Sequence, residues 1–178
     1  EFYPFMTAAE YLHFCGEITG MKRTENEERC KELLELVGLG NETHHIKGFS
    51  RGMKQRLGIA QALLNRPKLL ICDEPTSALD LANQDAVLSL LRQLAKKHGL
   101  GIIFTTHQPN HAQAIANKTL LINRNFIRFG QTDEILTSEN LTALFHLPMI
   151  VEQSQYQQQP FSHFVPVYEV LLEEKRDE

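Results

Sequence analysis

Apolar side chains recur at helical spacing through the first third of the chain and predict three amphipathic helices there. The first begins at a capping box, residues 7–10, and continues to about residue 18. The second is predicted over 24–37 and the third over about 53–65, with Ser50 as its N-cap. We therefore expect residues 1–66 to form a mostly helical subdomain.

The pattern changes after Pro67, where two short continuous apolar runs flank another amphipathic helix. The runs occupy residues 69–72 and 101–105, and the helix is predicted over 83–98. Uninterrupted apolar runs of this length are typical of strands buried on both faces of a parallel sheet. Strands that alternate with helices in this way predict an α/β fold with a mostly parallel sheet.

Shorter elements are predicted toward the C-terminal end of the chain. The pattern indicates a helix over 109–116, a hairpin of strands 119–122 and 126–129, and a helix over 138–145. The glutamine-rich stretch 153–159 is interpreted as a linker or a weak strand boundary.

Composition narrows the class of protein. Hydrophobic residues make up 42% and charged residues 22% of the 178 residues, as in an ordinary globular domain. The net charge of −4 gives no reason to expect nucleic acid as a partner. No apolar run approaches the roughly 18 residues that a transmembrane helix needs. Cys30 and Cys72 fall in apolar patterns and are predicted to be buried free thiols, which fits a reducing compartment.

Candidate chemistry first appears where the run 69–72 ends in Asp73 and Glu74. A buried strand would fix both carboxylates at the sheet edge where open α/β folds bind ligands. An aspartate in such a place can hold Mg²⁺, usually through water, and a glutamate after it can act as a general base toward water. The same pattern also occurs as an ordinary helix N-cap, so alone it indicates little.

The residues that follow make the pattern specific. The segment from Cys72 to Asp80, Cys-Asp-Glu-Pro-Thr-Ser-Ala-Leu-Asp, resembles the Walker B and D-loop block of ABC ATPases. That resemblance implies a partial P-loop NTPase core in which Asp73 serves magnesium and Glu74 serves catalysis. It also implies that Asp80 belongs to the D-loop, which crosses a dimer interface.

A second motif lies upstream, at Ser50, Arg51, Gly52 and Met53. A helix N-terminus favours a phosphate because its first N–H groups are unpaired and its dipole is positive there. The segment resembles the ABC signature motif, which implies contact with the γ-phosphate of ATP held by a partner subunit. It departs from the usual Leu-Ser-Gly-Gly-Gln at Arg51 and Met53, and without the other motifs it would indicate only a capped helix.

The third motif is His107, which follows the second predicted strand in Thr105-Thr106-His107. A single histidine after a strand is most often structural. Its order and spacing after Asp80 resemble those of the ABC H-loop, whose histidine contacts the γ-phosphate and orients the catalytic water.

One expected motif is missing from the sequence. A P-loop has the pattern G-x-x-x-x-G-K-[ST], and no Gly-Lys pair occurs in this chain. The resemblance therefore covers about the last two thirds of a nucleotide-binding domain: a signature subdomain at 1–66, the second half of the ATPase core at 67–148 and an extension at 149–178. We expect the chain alone to be marginally stable, to bind ATP poorly and not to hydrolyse it.

The resemblance implies an ATPase subunit that uses ATP and Mg²⁺, pairs with a second ATPase domain as a homodimer and docks on transmembrane permease subunits. It would then be peripheral on the cytoplasmic face of the membrane. The second half of the sequence is most similar to importers of iron chelates, cobalamin and metal oxyanions such as molybdate, whereas residues 51–57 resemble exporter-type ATPases. Two alternatives remain, a soluble ABC ATPase of DNA repair or translation and a non-catalytic remnant.

Overall fold

A computed structural model describes residues 2–168, which divide into two compact units, one ending at Thr106 and the other beginning at His107. This boundary separates compact bodies, whereas the proposed subdomains 1–66, 67–148 and 149–178 are functional divisions and remain a prediction. Residues 169–178 of the proposed extension lie outside the described part of the chain.

Three helices and two strands, with a fourth helix between the strands, form the first unit. They are α1 (Ala8–Ile18), α2 (Arg23–Leu36), α3 (Arg51–Leu63), β1 (Leu69–Cys72), α4 (Leu81–His98) and β2 (Gly101–Phe104), with a short 3₁₀ turn at Ile46–Gly48. The predicted helices are confirmed with ends shifted by about two residues, and the capping box at Thr7 and Glu10 is present. α1, α2 and α3 pack on one another around the fully buried Leu12, Leu33 and Leu57.

Two arginines cross between α2 and α3, each reaching from the middle of its own helix to the C-terminal end of the other. Arg56 on α3 donates to the carbonyl oxygen of Val37, which follows α2, at 2.7 Å. Arg29 on α2 donates to the carbonyl oxygen of Leu63, at the end of α3, also at 2.7 Å. Carbonyls at a helix end have no partner within their own helix, so each helix supplies a cation to the end of the other. The Leu63 carbonyl also accepts from the backbone N–H of Arg66 at 3.1 Å.

Close approach of α1 and α2 depends on a glycine. Asn26 on α2 is only 1% exposed, and its amide donates to the carbonyl oxygen of His13 on α1 at 2.8 Å. The same amide lies directly against Gly16, where a Cβ would overlap it. Gly16 thus provides the space in which a buried polar side chain crosses between the two helices.

The strands of the first unit form a parallel pair, as predicted, but they are buried on one face only. β1 and β2 pair in register, with Cys72 opposite Phe104. Leu70 and Cys72 are buried, whereas Leu69 and Ile71 are 49% and 68% exposed. Successive strand residues point to opposite faces, so burial on both faces needs cover on both, and within residues 2–168 the second face of this pair lacks it. The prediction of two buried faces was therefore wrong.

The second unit is built from two antiparallel hairpins and three short helices. Its elements are α5 (Pro109–Ile115), β3 (Lys118–Asn123), β4 (Phe126–Gln131), α6 (Thr132–Ile135), α7 (Ser138–Phe145), β5 (Met149–Tyr156) and β6 (Gln159–Pro166). β3 pairs with β4 and β5 with β6. The core consists of Ala112, Leu121, Leu136, Leu141, Met149 and Phe164.

The glutamine-rich stretch is a hairpin, so its interpretation as a linker was wrong. β5 and β6 pair from Met149–Pro166 to Tyr156–Gln159. Gln157 and Gln158 form the two-residue turn with φ values of 50° and 66°. Such turns require positive φ at both positions and are usually marked by glycine or asparagine, so this one left no signal in the sequence.

The α/β prediction is confirmed, and its parallel sheet is represented by β1 and β2. The other two sheets in the described chain are antiparallel pairs.

Candidate nucleotide site

Thr105 makes hydrogen bonds to both of the acidic residues that follow β1. Because β1 and β2 are parallel and in register, Thr105 lies beside Asp73 just past both strands. Its hydroxyl donates to Oδ1 of Asp73 at 2.6 Å and accepts from the backbone N–H of Glu74 at 2.9 Å. One side chain just past the neighbouring strand thereby orients the Asp73 carboxylate and holds the backbone of Glu74.

Glu74 has an uncommon backbone conformation. Its φ is 46°, and Ala78, four residues later, has a φ of 55°. Non-glycine residues in the left-handed region cost about 1–3 kcal/mol each and persist where the surrounding structure enforces them. The hydrogen bond from Ser77 N–H to Glu74 carbonyl oxygen, 3.0 Å, holds the turn between them. Strained residues of this kind cluster at functional sites, which supports a functional reading of this turn.

The carboxylate of Asp73 suits a magnesium ion. Its side chain is exposed, and Oδ2 has no hydrogen bond within residues 2–168. Mg²⁺ commonly takes one or two protein carboxylates and completes its shell with water and substrate phosphates. Across those residues, no group of three or more His, Cys, Asp or Glu side chains could hold a metal by itself. The donor set therefore fits Mg²⁺ brought in with a nucleotide.

The tip of α3 has the predicted cap. Ser50 is the N-cap, and its hydroxyl accepts from the backbone N–H of Met53 at 3.2 Å. Arg51 is exposed and Gly52 is buried. The first turn thus presents backbone N–H groups and a cationic side chain at one end of the helix, an arrangement that favours an anion.

Arg51 and Asp73 border the same cavity, of about 310 Å³. Lys54 also lines it, together with apolar side chains that include Ile59 and Ile71. The helix tip and Asp73 therefore border one cavity in the first unit, whose lining includes two cationic side chains and one carboxylate.

Asp80 is the N-cap of α4, and its carboxylate is occupied by Asn83. Oδ1 accepts from the Asn83 backbone N–H at 2.8 Å, and Oδ2 accepts from the Asn83 side-chain amide at 2.7 Å. These hydrogen bonds, the one from the backbone N–H first, lower the pKa of Asp80. The Asn83 amide also lies against Gly52, where a Cβ would overlap it. The turn at Asp80 and the tip of α3 are thus in contact through one side chain.

The first unit therefore brings together Asp73, Glu74, Asp80 and the tip 50–53. His107 is exposed and is the first residue of the second unit, so its part in the site remains a prediction from the sequence.

Sequence reasoning missed the parts played by Thr105 and Asn83. A signal for Thr105 was available, because it follows β2 by the same one residue by which Asp73 follows β1. The side-chain contact of Asn83 with Gly52 depends on how α3 and α4 pack, and no local pattern encodes it.

Among residues 2–168, no helix has both the length and the apolar character needed to cross a bilayer.

Comparison with known proteins places these residues in a family. The sequence model of the ABC transporter family matches residues 1–77, which include the tip 50–53 and both acids. The molybdate import ATP-binding protein MolC of Haemophilus influenzae is 57% identical over 136 residues, which cover 74% of this chain and 54% of MolC. The methionine import ATP-binding protein MetN of Bacillus subtilis is 38% identical over 143 residues, 78% of this chain and 42% of MetN. The chain spans about half the length of these curated relatives.

A solved structure agrees with the sequence relatives. It is described as an inward-facing conformation of a metal-chelate type ABC transporter, and it superposes with a TM-score of 0.87 at 44% identity over 94% of this chain and 68% of that one. Likeness of this extent in both sequence and structure means that the chain belongs to the ABC transporter family and corresponds to part of its ATP-binding protein.

Proposed function

We propose that this chain supplies the hydrolysis acids and the signature helix of the ATPase subunit of an ABC importer. The observation that carries the proposal is the pair Asp73 and Glu74, fastened by Thr105 at the end of β1, with Glu74 in a left-handed conformation. An ordinary helix N-cap needs neither the cross-strand hydroxyl nor the strained glutamate.

When bound, Mg²⁺ would neutralise charge on the phosphates of ATP. Asp73 would hold that ion through water, with Thr105 orienting the carboxylate. Glu74 would accept a proton from the attacking water, and its fixed backbone would aim the carboxylate. His107 would orient that water and contact the γ-phosphate.

The tip of α3 would act on a second nucleotide. Ser50, Arg51, Gly52 and Met53 would contact the γ-phosphate of ATP bound by a second ATPase subunit in a homodimer. Asp80 would place its turn at the interface between the two subunits. Its carboxylate is already engaged by Asn83, so the backbone of the turn, rather than the free acid, would meet the partner.

The partners we propose are those that the family implies. The helical region 1–66 would dock on transmembrane permease subunits, which would place the protein at the cytoplasmic face of the membrane, and no nucleic acid is expected. We propose a metal oxyanion such as molybdate as the cargo of the assembled transporter, because MolC is a molybdate import protein and shares 57% identity over 136 residues.

The test uses the complete gene product that contains residues 1–178. We expect it to bind ATP and to hydrolyse it in the presence of Mg²⁺, and Glu74→Gln to abolish turnover while ATP-bound dimers persist. Glu28→Gln is the matched control, because Glu28 is an exposed glutamate on α2. Turnover retained in Glu74→Gln would remove Glu74 from catalysis, and absence of ATP binding in the unmodified protein would favour a non-catalytic remnant.

The cargo is tested separately. With its permease and binding protein in vesicles, the ATPase should be stimulated by molybdate and not by sulfate or a ferric chelate. Stimulation by the chelate alone would reject the oxyanion proposal and leave the ATPase proposal intact.

A further inference from the structure

We propose that Asn83 is a positioning residue that couples the turn at Asp80 to the tip of α3, so that the two parts facing a partner subunit move together. The inference rests on the proposed function, in which both parts meet the second subunit. It concerns a side chain that the sequence motifs leave unassigned.

Asn83 makes more contacts than a helix cap requires. An aspartate N-cap is satisfied by a backbone N–H in the first turn, here the N–H of Asn83 at 2.8 Å from Oδ1 of Asp80. The Asn83 side chain adds a second hydrogen bond of 2.7 Å to Oδ2. Both carboxylate oxygens are thereby held, and the carboxylate cannot rotate without breaking one of the two bonds.

The other side of the same amide meets α3. Gly52 is buried against it, and a Cβ at Gly52 would overlap the oxygen and carbon of the amide and approach Asn83 Cβ to 2.9 Å. Gly52 therefore has a role besides access of the backbone to phosphate, because it makes room for Asn83. A planar amide held by hydrogen bonds on one side and by close packing on the other transmits a displacement in either direction.

This arrangement has a functional consequence. Misplacement of a reacting group by about 1 Å can cost on the order of a hundredfold in rate. Without Asn83, the tip of α3 and the turn at Asp80 would settle independently, and the γ-phosphate contacts would form in fewer of the closed dimers. The loss would fall on turnover rather than on ATP affinity, because neither element holds the nucleotide of its own subunit.

The test again uses the complete gene product. Asn83→Ala should lower kcat about tenfold or more, as expected for a misplaced group, with KM for MgATP changed less than about twofold, the pattern of an interaction made in the transition state. Asn83→Asp keeps the volume beside Gly52 but loses the amide donor, and it should be impaired as well. Asp85→Ala is the control and should retain full activity, because Asp85 is exposed and lies on α4 two residues after Asn83.

A double-mutant cycle tests the contact itself. Gly52→Ala should displace Asn83, so Gly52→Ala and Gly52→Ala/Asn83→Ala should have kcat values within about twofold of each other, as coupled residues are non-additive. Independent, multiplicative losses, or a normal kcat in Asn83→Ala, would overturn the proposal.

Amide hydrogen exchange tests the coupling without relying on ATPase activity. A failure of this proposal can therefore be distinguished from a failure of the proposed function. Without nucleotide, Asn83→Ala should speed exchange at the N–H groups of Met53 and Lys54, and Asp85→Ala should not. If the unmodified protein lacked ATPase activity, the proposed function would fail, and faster exchange at the tip would still show the coupling. Unchanged exchange at the tip would reject it.

Discussion

The hydroxyl of Thr105 lies 2.6 Å from Oδ1 of Asp73, so the end of β2 holds the carboxylate at the end of β1 in one orientation. Partners that orient a metal-binding residue typically contribute 10- to 100-fold to metal affinity. The contact therefore has a measurable consequence for the proposed magnesium site.

Thr105→Val keeps the shape of the side chain and removes the hydroxyl. We expect the Mg²⁺ concentration for half-maximal ATPase activity of the complete gene product to rise about 10- to 100-fold. Thr105→Ser keeps the hydroxyl and should behave like the unmodified protein. An unchanged magnesium dependence in Thr105→Val would show that the hydrogen bond does not tune this carboxylate.

Arg29→Met should destabilise the chain by about 2 kcal/mol, because a hydrogen bond from a charged group is worth about 1.5–3 kcal/mol. The arginine side chain is 11% exposed and binds the carbonyl of Leu63. Arg23→Met is the control, since Arg23 is 90% exposed and pairs with Glu27 along the same helix. Such surface pairs contribute about 0.5 kcal/mol or less. Urea titration of both variants measures the difference, and equal losses would contradict the capping role of Arg29.

The same glycine-to-alanine change should have opposite effects in two helices. Gly16→Ala would force a Cβ into the buried Asn26 and should cost about 1–3 kcal/mol of unfolding free energy. Gly58→Ala, inside α3, meets only the Phe2 ring at an ordinary 3.8 Å and should stabilise the chain by about 0.5–1 kcal/mol. Thermal unfolding of the two variants gives the signs, and a stabilised Gly16→Ala would show that Asn26 moves aside freely.

The three cysteines should differ in the reactivity of their thiols. Burial, more than any other cause, raises the pKa of Cys30 to about 11, and burial also raises the pKa of Cys72. At pH 8 roughly one Cys30 in a thousand is then a thiolate, the reactive form. Cys15 is only partly buried. Titration with a disulfide reagent at pH 8 should therefore show one fast thiol in the native chain and three after denaturation.

The control is Cys15→Ser, which should eliminate the fast thiol. A fast reaction that persists in this variant would place the reactive thiol at Cys30 or Cys72 instead.

Local chemistry made most of the helices predictable. The capping box at Thr7 and Glu10 and the cap at Ser50 are satisfied within four residues, so the sequence carries their full signal. The acids at 73 and 74 were predictable for a similar reason, since an apolar strand positions whatever follows it.

The features that were missed depend on distant residues. The exposure of Leu69 and Ile71 depends on which elements cover the sheet. An apolar run shows only that both faces of a strand could be buried. The contact of Asn83 with Gly52 depends on how two helices pack, although the residues are 31 positions apart in the sequence. The turn at Gln157 and Gln158 is imposed by strand pairing on residues that do not favour it.

The reciprocal hydrogen bonds of Arg29 and Arg56 also limit how far α2 and α3 can move past each other. The Arg29 guanidinium links α2 to the carbonyl at the end of α3. From there the chain continues through Pro67 into β1 and Asp73. The Arg56 guanidinium makes the reciprocal link to Val37, so a shift of either helix along its axis would stretch or break one of these hydrogen bonds. Only five residues of connecting chain, 64–68, lie between the arginine-linked end of α3 and β1, so the covalent path from the helical region to the acid pair is short.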